Sequence, residues 1–115
     1  MNTETRHEVH SPTRATLYVS GRLDAVSAQE VKAALHELVK RGHVELIICL
    51  GETPFIDSSG LAALVSGLKA TRQAGGTLKL CALGEQARTV FRLTMLERVF
   101  EIYEGVEEAR ASFLE

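Results

Sequence analysis

The chain lacks any long apolar run. A bilayer-spanning helix needs about 20 consecutive, mostly apolar residues, and no stretch of this sequence approaches that. It lacks a basic excess: 13 Lys and Arg are interspersed with 15 Asp and Glu, for a formal charge of −2. Nucleic-acid binders carry a clustered basic face, so that partner class is not expected. The opening residues Met1-Asn2-Thr3-Glu4-Thr5-Arg6-His7 are polar and hold no apolar secretory core. The expectation is a soluble, cytoplasmic protein with no membrane partner. No Walker-type loop and no Gly-x-Gly-x-x-Gly motif occurs, so a nucleotide has no sequence support and no cofactor is expected. Cysteine is scarce. Cys49 and Cys81 each lie in an apolar, strand-like run. They read as buried free thiols packing as small hydrophobes. A disulfide or redox pair is the alternative, but the spacing is no Cys-x-x-Cys motif and a cytosol would keep the thiols reduced.

No internal repeat, linker or low-complexity segment interrupts the chain, so residues 1–115 read as one α/β domain. Residues 8–10 and 15–20 read as strands joined by a turn at Ser11-Pro12-Thr13-Arg14, because Leu17 and Val19 alternate with more polar neighbours. Ser27-Ala28-Gln29-Glu30 fits a capping box. Val31, Ala34, Leu35, Leu38 and Val39 follow at helical spacing, and Gly42 offers a stop. Residues 43–50 read as a central strand, since Leu46-Ile47-Ile48-Cys49-Leu50 is apolar on both faces. A loop at 51–54 leads to a helix that places Leu61, Leu64, Val65 and Leu68 on one side and ends near Gly75-Gly76. Further elements are a strand at 77–83, a helix at 85–94, a short edge strand at 99–103 and a helix at 106–113. Strand-helix-strand units imply a partly parallel sheet: four to five strands, mixed, with about four helices.

Between the central strand and the second helix stands Phe55-Ile56-Asp57-Ser58-Ser59-Gly60-Leu61. One capping residue would start a helix, so two adjacent hydroxyls after an aspartate are surplus. Gly60 falls in the first helical turn, where it costs up to about 1 kcal/mol relative to Ala, but lets another backbone approach. The stretch also follows the carboxyl end of a central strand, the usual functional edge of an open α/β sheet. A phosphoryl group on one of these hydroxyls would add about −1.5 to −2 charges at a terminus whose N–H groups favour anions. It should therefore alter docking and leave the helix intact.

Other chemistries fit less well. A serine hydrolase needs a base, and neither the Gly-x-Ser-x-Gly elbow nor a partner pattern for His7, His10, His36 and His43 is present. A phospho-aspartate receiver centred on Asp57 would need further carboxylates after the first strand, where Ser11-Pro12-Thr13-Arg14 stands. His7 and His10, three apart on a strand, point to opposite faces and make a poor metal site.

Gly21-Arg22-Leu23-Asp24, the helix at 28–39, Phe55-Ile56-Asp57-Ser58-Ser59-Gly60-Leu61 and Gly75-Gly76-Thr77-Leu78 together resemble the bacterial anti-sigma-factor antagonists, the STAS-domain proteins. The resemblance covers nearly the whole chain, in order. It implies a single STAS domain that is not an enzyme. It also implies an unphosphorylated form that binds a kinase-type anti-sigma factor and frees a sigma factor. The kinase would phosphorylate Ser58, and a phosphoserine phosphatase would restore it. Asp57, Ser58, Ser59 and Gly60, with Gly21, Leu23 and Asp24, would form the partner-binding surface. The alternative within the family is a non-switching scaffold or accessory subunit of a transport or signalling complex. Two positions depart from the pattern: Arg22 stands where Glu is frequent, and Met95 where Gly is common.

Overall fold

The apolar run at 46–50 lies at the middle of the sheet. In the computed structural model, which describes residues 4–113, β3 spans Glu45–Glu52. Residues 1–3 of the polar opening stretch lie outside the described residues. The other strands are β1 (Glu4–Val9), β2 (Arg14–Ser20), β4 (Thr77–Cys81) and β5 (Glu101–Tyr103), in spatial order β1-β2-β3-β4-β5. β1 is antiparallel to β2, and the remaining pairs are parallel. The helices are α1 (Ala28–Lys40), α2 (Ser58–Gln73), α3 (Glu85–Leu93) and α4 (Val106–Ser112). This is the mixed α/β sheet with four helices that the periodicities predict.

Strand alternation divides the core. Leu46, Ile48 and Leu50 join Val31, Leu35 and Leu38 of α1, Leu64 and Leu68 of α2, and Phe91 of α3. The alternate residues Ile47 and Cys81 face Ala109 of α4 on the other side. Both Ile47 and Ile48 are fully buried, as a strand covered on both faces requires. Among the described residues, no helix is long and apolar enough to cross a membrane.

Several local expectations are corrected. The first strand starts at Glu4, well before residue 8, because its six-residue ladder to β2 is set by pairing and its side chains are nearly all exposed. The capping box is not made. Ser27 is in a helical conformation and its side chain caps no helical N–H. Its hydroxyl instead donates to Arg22 O at 2.7 Å and accepts from Asp24 N at 3.0 Å, serving the preceding loop. Asp24 Oδ1 accepts from the Val26 and Ser27 N–H groups in its place. β3 continues through Gly51 and Glu52, read from sequence as loop, because Glu52 O accepts from Gly21 N at 2.9 Å beyond a register shift. β4 stops at Cys81, since Ala82 turns to a φ of 61°. A 3-10 turn at Leu96–Arg98 precedes the shortened β5. Cys81 is buried, but Cys49 is only half-buried, and the two are register partners across β3 and β4.

Met95 ends α3 in the left-handed conformation, φ 63° and ψ 13°. The helix therefore terminates as a glycine would terminate it, with a residue whose Cβ resists that geometry. The Met95 side chain is more than half exposed, so little packing offsets the strain. Met95→Gly is expected to raise stability by up to about 1 kcal/mol, strain relief exceeding the added chain entropy. Denaturant melts of the two proteins check this, and a lower midpoint for the glycine variant would show that the Met95 side chain carries packing energy.

Candidate functional site

Asp57 opens α2. Its backbone is extended, and its Oδ1 accepts from Ser59 N at 2.9 Å and Gly60 N at 3.0 Å. One carboxylate thus satisfies two of the orphan donors of the helix start. Ser58, the first helical residue, is exposed, and no described residue bonds to its hydroxyl. Ser59 is half-buried and turns toward α1.

Gly60 is buried under the loop that follows β2. A Cβ there would overlap the Leu23 carbonyl oxygen and stand 2.8 Å from Leu23 Cγ and 2.9 Å from Ile56 Cγ1. The close approach lets two distant stretches pair as a short parallel bridge, Leu23 with Ile56. Leu23 N donates to Phe55 O at 2.9 Å, and Asp57 N donates to Leu23 O at 3.2 Å. Gly21 begins the loop at a φ of 94°, a left-handed turn that suits glycine.

The sequence-predicted residues therefore converge, in two layers. Leu23 and Gly60 are buried and shape the surface from beneath. Gly21, Asp24, Asp57 and Ser59 are partly exposed, and Ser58 is exposed. Slight desolvation pushes the Asp24 carboxyl up, but hydrogen bonds from Ser27 and Val26 and the charge of Arg22 hold it below its ordinary value. The Arg22 guanidinium lies 4.3 Å from the centre of the Phe55 ring.

Three features escaped the sequence reading. Gln86 of α3 clamps Ile56 with a paired amide contact: Ile56 N donates to Oε1, and Nε2 donates to Ile56 O, each at 2.9 Å. Val26 is 91% exposed on the loop before α1, a large apolar side chain directed to solvent. Beside it, Ala25, Ala28, Gln29, Lys32, Ser59 and Ala62 border a groove of about 230 Å³ between α1 and α2.

His10 Nε2 bonds to Thr16 Oγ1 at 2.7 Å and His36 Nε2 to Ser66 Oγ at 3.0 Å, so neither serves Ser58. Among the described residues, no group of three or more His, Cys, Asp or Glu could hold a metal ion.

The sequence matches the STAS domain family over residues 1–109. It is 33% identical over 84 residues to the anti-sigma-B factor antagonist of Bacillus subtilis, covering 73% of this chain and 76% of that one. It is 34% identical over 86 residues to the anti-sigma-B factor antagonist of Listeria monocytogenes, 75% of each chain. Among solved structures, an anti-sigma factor antagonist from Mycobacterium paratuberculosis superposes with a TM-score of 0.89 at 25% identity, over 99% of this chain and 96% of that one. The fold is that of a small mixed α/β domain. The chain belongs to the STAS domain family.

Two substitutions test the layers. Gly60→Ala is expected to destabilise the protein by about 1–3 kcal/mol through overpacking against Leu23 and Ile56. Asp57→Ala should cost about 1 kcal/mol through the lost cap. Denaturant titration measures both. A Gly60→Ala variant as stable as the parent would mean that the loop at Leu23 yields easily.

Proposed function

We propose that this protein is an anti-sigma-factor antagonist: a binding module whose unphosphorylated form docks on a kinase-type anti-sigma factor and frees a sigma factor. The exposed Ser58 hydroxyl, at the start of α2 and beside the paired Asp24 loop, carries this reading. The likeness to anti-sigma-B factor antagonists at 33% and 34% identity supports it. The docking surface comprises Asp57, Ser58, Ser59, Gly21 and Asp24, held from beneath by Leu23 and Gly60. Val26 and the groove between α1 and α2 extend it. An outward valine next to a shallow groove is the kind of apolar feature that interfaces bury.

Switching follows from charge. The kinase transfers the γ-phosphoryl of ATP to Ser58 Oγ; the hydroxyl proton goes to a kinase base and ADP leaves. The new group adds about −1.5 to −2 charges. Asp57 already holds the Ser59 and Gly60 N–H groups. The phosphate therefore stays outward, where it meets the partner with charge and bulk while the helix stands. A phosphoserine phosphatase resets the surface. This chain supplies substrate and docking face, and catalysis resides on the partners. The setting is the bacterial cytoplasm, where sigma factors act.

Incubation with the cognate kinase and ATP is expected to place one phosphate on Ser58, located by peptide mass spectrometry. Ser58→Ala should bind the kinase and accept no phosphate. Ser58→Asp should weaken binding by about tenfold or more, as like charges and an unpaired rim carboxylate do at interfaces. Label on Ser59 with Ser58 bare would overturn the acceptor assignment. Undiminished binding of Ser58→Asp would overturn the charge mechanism.

A further inference from the structure

The two cysteines, 32 positions apart in the chain, are direct register partners on the parallel neighbours β3 and β4. Both belong to the sheet face that α4 covers, away from α1 and α2. Adjacent strands lie about 4.8 Å apart, within the Cα separation of about 4.4–6.8 Å that a disulfide spans. The two thiols are not equivalent. Cys81 is fully buried in the small core with Ile47 and Ala109, whereas Cys49 is half-buried. Cys49 opens into a depression of about 260 Å³ bordered by Arg6, Tyr18, Gly51 and Glu52.

Gly51 keeps that opening clear. It lies two residues beyond Cys49, on the same face of β3. A Cβ at position 51 would stand 3.7 Å from Cys49 Sγ and 3.4 Å from Ala82 Cβ, roofing the sulfur. Gly51 is not among the residues with positive φ, so its backbone does not demand glycine. The Arg6 guanidinium sits 4.1 Å from the centre of the Tyr18 ring, at the same depression. It adds a positive charge at the depression into which Cys49 opens.

We propose that Cys49 and Cys81 form a reversible thiol-oxidation site that takes a small hydroperoxide. The neighbouring Cys81 thiol lowers the Cys49 thiol below its ordinary range, and the same neighbourhood, with burial, raises Cys81. Cys49, which opens to the depression, is the attacking thiolate, and the buried Cys81 is the resolving thiol. The Cys49 sulfur attacks one peroxide oxygen and the O–O bond breaks. The other oxygen leaves as alcohol or water after taking a proton, and Cys49 becomes a sulfenic acid. The Cys81 sulfur then attacks the Cys49 sulfur, the S–O bond breaks, and water departs with the Cys81 proton. Two thiols supply the two electrons that reduce the peroxide. A dithiol reductant reverses the change by exchange.

The test uses the full chain with hydrogen peroxide, followed by intact mass measured without reductant. The expected product is a monomer about 2 Da lighter, with both thiols lost together and recovered with dithiothreitol. Cys81→Ser should halt at a sulfenic acid on Cys49, trapped by dimedone. Gly51→Val should slow the reaction of Cys49 by about fivefold or more, because access governs thiol oxidation. Two free thiols after peroxide treatment, a disulfide only between copies, or direct passage to sulfinic acid would overturn the proposal. The parent protein's mass decides even if Cys81→Ser fails to fold.

Discussion

The close seating of the Gly60 backbone against the Leu23 carbonyl is the contact on which the rest of the site depends. It forces a residue without a side chain into the first turn of α2, where helix propensity disfavours it. In return, the loop after β2 and the approach to α2 join as a bridge between Leu23 and Ile56. Gln86 locks the other side of Ile56 from α3. Three elements remote in sequence thereby fix one short segment of main chain. Asp57 and Ser58 are its next residues, so their direction is set by backbone contacts and not by side-chain packing. A surface built this way holds its shape when a side chain on it changes.

That rigidity alters how charge at Ser58 acts. From sequence, the N–H groups of the helix start favour an anion such as a phosphate. In the structure Asp57 already uses those of Ser59 and Gly60. A phosphoryl group on Ser58 would meet a carboxylate beside it, not a vacant nest of donors. Its favourable contacts inside the domain are few, and its charge faces outward. The cap that stabilises the helix therefore also keeps an added anion available to a partner.

The architecture was largely legible in sequence because its central elements have strong periods. The run Leu46-Ile47-Ile48 permits little besides a strand covered on both faces, and Val31, Leu35 and Leu38 recur at helical spacing. The Asp57–Gly60 stretch was legible because its polarity exceeds what a helix start needs. The remainder was hidden for tertiary reasons. Ser27 carries a capping signature, yet the Arg22 carbonyl and Asp24 amide win its hydroxyl. Local pattern cannot weigh such a competitor. β1 is an exposed edge strand, and most of its residues have no burial pattern to display. Gln86 and Val26 matter through position alone. The cysteine pair depended on strand register, which no spacing along the chain reveals.

β3 connects these observations. Its carboxyl end is tied to β2 three ways. Ser20 Oγ donates to Glu52 Oε1 at 2.8 Å, Gly21 N donates to Glu52 O at 2.9 Å, and Thr53 Oγ1 donates to Val19 O at 2.8 Å. Those bonds lie between Cys49 on one face of the sheet and Asp57 at the end of the following loop. They hold the start of the Gly21–Asp24 turn and the exit of β3 as a unit. A change at Cys49 would reach the surface around Ser58 only by shifting this tied junction. Glu52 belongs to both, bordering the thiol depression and accepting from Gly21 at the start of the turn. β3 thus carries Cys49 within its length and leads, through the loop at its carboxyl end, to Asp57 and Ser58 at the start of α2.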